Sequence, residues 1–77
     1  DPSSDIEHII IHRDEVRRLA LALGELPHAL RSAAVLHLIE GRSQAECSEI
    51  LGVSRKSVEM LVYRARKTLR QKLGMAS

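Results

Sequence analysis

The side chains that could do chemistry lie on one face of the C-terminal stretch, which is predicted to be a helix over residues 54–73. At about 100° per residue, one side of such a helix collects most of the polar and charged groups. These residues are Lys56, Glu59, Met60, Tyr63, Arg64, Lys67, Arg70 and Gln71. Positive charge on this face can attract phosphates, and its first half can present side chains to base edges. A solvated amphipathic helix has the same pattern, so the neighbouring elements must decide between the two interpretations.

The opposite face of the same stretch is apolar and indicates how the helix is held. Its apolar residues recur at the i, i+3, i+4, i+7 spacing of a helix that packs on a core. They are Val58, Leu61, Val62, Ala65, Leu69 and Leu73. The helix is therefore expected to bury this stripe and to leave the charged face in solvent.

The residues just before this helix carry the signals of a short helix and a tight turn. Ser43 can cap a helix, and Glu46 can reach back to the Ser43 backbone N–H, which completes a capping box. Gly52 supplies the left-handed backbone that ends a helix, and Ser54 can cap the next one. Two helices joined by a short glycine-containing turn predict a helix-turn-helix over residues 43–73.

Two further helices complete the predicted fold. Ser4 or Asp5 can cap the first, and Leu26-Pro27 can start the second, which ends before Gly41. The predicted fold class is all-α, a compact four-helix domain with a C-terminal helix-turn-helix. Its helices are expected at about residues 5–23, 27–40, 44–51 and 54–73. Residues 1–4 are expected to be a linker or tail, and residues 5–77 a single domain.

Composition and charge narrow the function. The chain is 44% hydrophobic with a single aromatic residue, so its core must be aliphatic, which suits packed helices better than a sheet. The net charge of +2 conceals an asymmetry, because residues 1–42 carry −2 and residues 43–77 carry +4. Positive charge is concentrated on the predicted helix-turn-helix, as expected if this end of the domain meets a polyanion.

Other classes of function lack the residues that they need. The sequence has no glycine-rich phosphate loop, paired carboxylates or nucleophile with a placed His–Asp partner, so no enzyme activity is expected. His8 and His12 are spaced i, i+4 without a third ligand, so no metal or other cofactor is expected. Cys47 cannot form an internal disulfide and is expected to be buried. No membrane span or signal peptide is visible, so a cytoplasmic location without a membrane partner is expected.

Residues 26–70 resemble region 4 of a bacterial sigma factor of the sigma-70 family, most closely the extracytoplasmic-function group. Several separately placed motifs carry this resemblance, and the run after Tyr63 is the most discriminating. In chain order they are Leu26-Pro27, Glu40-Gly41, the helix Ser43 to Gly52, Val53-Ser54, Ser57-Val58 and Tyr63-Arg64-Ala65-Arg66-Lys67-x-Leu69. The resemblance implies a longer native protein with a separate region 2.

The resemblance also implies promoter recognition. The helix from Ser54 would enter the major groove of the −35 element, and other surfaces would bind the RNA polymerase core, chiefly the flap of its beta subunit. An anti-sigma factor is a further possible partner. The positions that reach bases or adjoining phosphates in the family fall on Glu59, Met60, Tyr63 and Arg64. Helix starts and outlying cations are the phosphate candidates: Ser43, Gln44, Arg55, Lys56, Ser57, Lys67 and Arg70.

Two residues depart from the family pattern, and two alternatives stay open. Glu59 stands where the family often has a basic residue, and it can accept a hydrogen bond from cytosine N4. Leu61 stands where an arginine is common and is expected to pack.

A sigma-like mimic that binds a sigma antagonist without DNA is one alternative function, although its phosphate-seeking face would then be unused. The other is a LuxR-type response-regulator domain, against which the long closing helix argues.

Overall fold

The computed structural model describes the backbone of residues 2–74 and the side chains of residues 13–74. All regular elements in this range are helical. They are α1 (Pro2–Glu25), α2 (His28–Ala34), a π-helical segment (Val35–Ile39), α3 (Gln44–Leu51) and α4 (Arg55–Lys72). The predicted all-α fold with a C-terminal helix-turn-helix is confirmed. Among the described helices, none has both the length and the apolar composition that a bilayer crossing requires.

The first helix begins earlier than predicted. Residues 2–4, expected to be a linker or tail, form the first turn of α1, which continues past Gly24 to Glu25. Pro2 fits there because the N–H groups of a first turn have no partner within the helix, so the missing donor costs nothing. The boundary expected at about residue 5 is therefore wrong by one turn.

The second helix is shorter than predicted and changes its hydrogen bonding. Pro27 stands outside α2 with φ −54° and ψ 148°, so the helix begins at His28. After Ala34 the chain widens into the π-helical segment, where the Glu40 N–H donates to the Val35 carbonyl at 2.9 Å. Gly41, at φ 73°, then turns the chain toward α3 with a left-handed conformation that favours glycine. The single helix expected over residues 27–40 is thus two segments.

The core consists of two clusters that both include α4. In the first, buried alanines and leucines join α1, α2 and α4: Ala22, Leu26, Ala34, Ala65 and Leu69. In the second, α2, α3 and α4 meet at Ala33, Cys47, Val58 and Val62. Leu38 packs against both clusters. The small side chains allow α2 to approach α4 closely, and this holds the inner face of α4 rigidly against the bundle.

Polar contacts connect α1 to the end of α4. The Nη2 atom of Arg18 donates a hydrogen bond to the Leu73 carbonyl at 3.1 Å, and the Lys72 ammonium lies 2.8 Å from a Glu25 carboxylate oxygen. The first contact satisfies a carbonyl that the helix end would leave without a partner. Exposed ion pairs such as Lys72–Glu25 contribute about 0–1 kcal/mol, so this pair helps to orient α1 and α4 more than it stabilises the fold.

Candidate nucleic-acid interface

The start of α3 is a complete capping box, as predicted. The Ser43 hydroxyl accepts from the Glu46 N–H at 3.0 Å, and a Glu46 carboxylate oxygen accepts from the Ser43 N–H at 3.0 Å. The Ser43 backbone N–H that donates to the carboxylate is the main cause that lowers the pKa of Glu46; the Ser43 side chain and the nearby Arg42 guanidinium lower it further. The arrangement fixes the first turn of α3 and the direction in which Ser43 and Gln44 face.

The turn between α3 and α4 is fixed by backbone hydrogen bonds. Gly52 is left-handed at φ 69°, and the N–H groups of Gly52 and Val53 both donate to the Ser48 carbonyl, at 2.9 and 3.2 Å. The Ser48 hydroxyl in turn donates to the Val53 carbonyl. Ser54 then caps α4 by accepting from the Ser57 N–H at 3.1 Å. The angle between the two helices is therefore set by this turn and not by side-chain packing alone.

The outer face of α4 is open along its length. Tyr63 is 64% exposed and Met60 41% exposed, and Glu59 and Arg64 are exposed as well. On the inner face Val58 and Ala65 are completely buried, whereas Leu61 is half-buried against the second core cluster. The division predicted for this helix is confirmed, and Leu61 packs as expected. The four candidate base-reading side chains thus share one accessible surface.

The phosphate candidates lie at the two helix starts and along the far end of α4. All are exposed: Ser43, Gln44, Arg55, Lys56, Ser57, Lys67 and Arg70. The Ser57 hydroxyl accepts a hydrogen bond from the Ser54 hydroxyl at 3.0 Å. Lys56 lies 3.8 Å from Glu59, a loose and exposed ion pair that a stronger partner could displace. Cations therefore flank the candidate base-reading residues at both ends of the helix.

Two grooves border the outer face, one on each side of Met60. On one side, α4 faces the π-helical segment and the start of α3, and the groove is lined by His37, Gln44, Glu59, Met60, Val62, Tyr63 and Arg66. On the other side, it faces α2 and the turn, and the groove is lined by Ala29, Val53, Lys56, Ser57, Met60, Leu61 and Arg64. Tyr63 and Arg64, although adjacent in sequence, therefore border different grooves.

Two polar residues of the first groove, Arg66 and His37, were absent from the predicted interface. Arg66 lies one turn after Tyr63 and two turns after Glu59, so helical spacing alone could have placed it beside them. His37 lies on the preceding helical segment and is half-buried. No local signal links it to α4, because the contact depends on the packing of the bundle.

Cys47 lies beneath this interface and takes no part in its surface. The residue is completely buried in the second core cluster, as predicted. Its Sγ lies 3.9 Å from the Arg42 carbonyl, within the range of a weak S–H hydrogen bond. Cys47 therefore packs the inner side of α3 against α2 and α4.

Comparison with known proteins identifies the family. Residues 16–69 match the family model described as Sigma-70, region 4. The chain therefore belongs to the sigma-70 region 4 family, and it is of the extracytoplasmic-function type. It is a DNA-binding sigma domain. The match does not favour the response-regulator alternative.

One curated relative shows the extent of the likeness. The chain is 41% identical over 63 residues to RNA polymerase sigma factor CnrH of Cupriavidus metallidurans. The aligned region is 82% of this chain and 33% of the relative, so the chain spans about a third of the length of the curated protein it matches. No solved structure matches the chain.

Proposed function

We propose that this domain recognises the −35 element of a promoter by laying the outer face of α4 in the major groove. The single observation that carries the proposal is the exposure of Tyr63 and Arg64 on a helix whose other face is locked into the core. A rigidly held helix that follows a capped turn is the geometry by which helix-turn-helix proteins present side chains to base edges.

The base-reading roles follow from the chemistry of each side chain. Arg64 can donate two parallel hydrogen bonds to guanine O6 and N7, the commonest specific contact of this kind. Glu59 can accept a hydrogen bond from cytosine N4. Its ion pair with Lys56 would then break, and the Lys56 ammonium would contact a phosphate instead. Tyr63 and Met60 supply surface for a thymine methyl or a sugar. A guanine and a cytosine are therefore expected within the preferred site.

The surrounding groups would hold the duplex without reading it. Ser43 and Gln44 at the start of α3, and Arg55 and Ser57 at the start of α4, lie where backbone N–H groups can meet phosphates. Lys67 and Arg70 extend the positive surface along α4. Contacts of this kind set register and orientation, and they make the affinity strongly dependent on salt.

RNA polymerase core is the proposed second partner, bound through surfaces that remain open when α4 lies on DNA. An apolar groove between α2 and α3 is one such surface, lined by Arg31, Ser32, Val35, Leu36, Ile50 and Leu51. It shares no lining residue with the two grooves beside α4, so polymerase and promoter could be held together. An anti-sigma factor would act by covering either surface. A domain that binds promoter DNA and RNA polymerase would act in the cytoplasm.

Selection of bound duplexes from a random DNA pool, run at two salt concentrations, tests the proposal. Enrichment of one motif at both concentrations is the expected result. Binding that weakens with salt and enriches no motif would reduce the outer face to a non-specific electrostatic surface. Absence of binding at low salt would contradict the proposal and favour a protein-binding mimic.

A further inference from the structure

His37 is an unexplained histidine at the edge of the proposed interface. It lies in the π-helical segment, half-buried, and it is one of the residues that line the groove between α4 and the start of α3. Gln44 comes from the α3 side of this groove, and Glu59, Tyr63 and Arg66 come from α4. A duplex seated on the outer face of α4 would pass over this groove.

The hydrogen bonding of the ring determines what His37 can offer to a ligand. Nδ1 lies 2.8 Å from the Arg42 carbonyl oxygen. Because a carbonyl can only accept, Nδ1 carries the hydrogen, and in the neutral ring Nε2 is an acceptor. No hydrogen bond to Nε2 is found among residues 13–74. Nε2 therefore becomes a donor only when the ring is protonated, and histidine is the side chain whose charge normally changes between about pH 5 and 8.

Charged side chains of both signs line the same groove as His37. Glu59 and Arg66 contribute them from α4, and Tyr63 adds a phenol. From the loop before α3, Arg42 is engaged by Glu40 at 2.8 Å and by Glu46 at 4.0 Å. A DNA phosphate would add negative charge that favours protonation. Binding of DNA and binding of a proton by His37 should thus reinforce each other.

We propose that His37 is a phosphate-binding residue of this interface, donating from Nε2 in its protonated form and making promoter affinity depend on pH. The inference rests on the proposed function and assigns one more contact to it. A phosphate is favoured over a base as the partner because the ring lies on the second wall of the groove, beside the start of α3. This is the region that contacts backbone phosphates when the following helix reads the bases.

The test measures the affinity of the intact 77-residue chain for a selected duplex between pH 8 and pH 6. The chain should bind at least about threefold more tightly at pH 6 than at pH 8; the gain cannot exceed about a hundredfold, because a single linked proton permits at most about tenfold for each of the two pH units. The plot of log affinity against log salt should also become steeper by about 0.9 at pH 6, the increment of one phosphate contact.

Matched variants identify the residue responsible. His37→Gln should abolish both pH effects, whereas His28→Gln, which alters an exposed histidine outside the groove, should retain them. His37→Lys, permanently charged, should bind tightly at both pH values. Circular dichroism and thermal melting establish that each variant is folded.

Two results would overturn the inference while leaving the proposed function intact: promoter binding that does not vary with pH, or an unchanged pH effect in His37→Gln. A loss of affinity in His37→Gln that is equal at both pH values would also overturn it, since that indicates a structural role. A chain that binds no duplex at either pH would overturn the proposed function and this inference together.

Discussion

Replacing Arg64 by alanine should remove one base contact without disturbing the fold. The side chain is exposed and borders the groove between α4 and α2. Among residues 13–74 it forms no ion pair, so truncation leaves no charge stranded. The free energy of unfolding should change by less than about 0.5 kcal/mol, as is usual for surface substitutions.

The effect on binding should be much larger and confined to one position. A bidentate arginine–guanine pair supplies about 1–3 kcal/mol of discrimination, which corresponds to roughly a 5- to 150-fold loss of affinity on the preferred duplex. On a duplex with that guanine replaced, wild type and Arg64→Ala should bind nearly equally. Arg64→Lys should recover the charge but not the paired geometry, and hence only part of the discrimination.

Fluorescence anisotropy on a set of duplexes, each altered at one position of the selected motif, provides the measurement. The expected signature is a loss of discrimination at one position and its retention at the others. An unchanged base preference in Arg64→Ala would remove this residue from the readout. An equal loss of affinity on every duplex would assign it to a phosphate instead.

The remaining predictions concern the phosphate contacts, the capping box and the core. Lys67→Ala should weaken binding equally on all sequences and reduce the salt slope by about 0.9, and a loss limited to one sequence would contradict a phosphate role. Because Ser43 holds the pKa of Glu46 below its ordinary value of 4.5, this group stabilises the fold above that pH and stops doing so as pH falls through its folded pKa. Denaturant unfolding between about pH 5 and 3 should therefore be less pH-dependent in Glu46→Gln, whereas Glu49→Gln, outside the capping box, should match wild type; identical curves for all three would refute the linkage. Cys47 is 0% exposed, so a thiol reagent should label it slowly in the native state and rapidly in denaturant, and fast stoichiometric labelling of the folded chain would contradict its burial.

The helix-turn-helix could be predicted because its signals are local. Ser43 and Glu46 are three residues apart, and Gly52 and Ser54 mark the turn through backbone preferences that hold in almost any context. The apolar stripe of α4 likewise follows from helical spacing alone. All of these features are confirmed, together with the burial of Cys47.

The features that the sequence did not reveal depend on contacts between helices. Nothing local in the residues Val35 to Ile39 distinguishes a π-helical turn from an α-helical one. Two of these residues, Leu36 and Leu38, pack against the second core cluster, a contact between helices that the sequence does not display. The place of His37 beside α4 is a consequence of the same packing. The early start of α1 has a different origin, since Pro2 is compatible both with a tail and with a first turn.

Tyr63 permits the most direct test of the account, because it is the single aromatic residue of the chain and is 64% exposed on the outer face of α4. Biosynthetic replacement by fluorotyrosine gives one fluorine NMR signal, free of background from DNA. Adding the selected duplex should shift this signal and reduce its access to a soluble paramagnetic probe, whereas a scrambled duplex should do so weakly. Tight binding of the selected duplex with the Tyr63 signal unshifted and still accessible would contradict the central claim that this face of α4 lies in the groove.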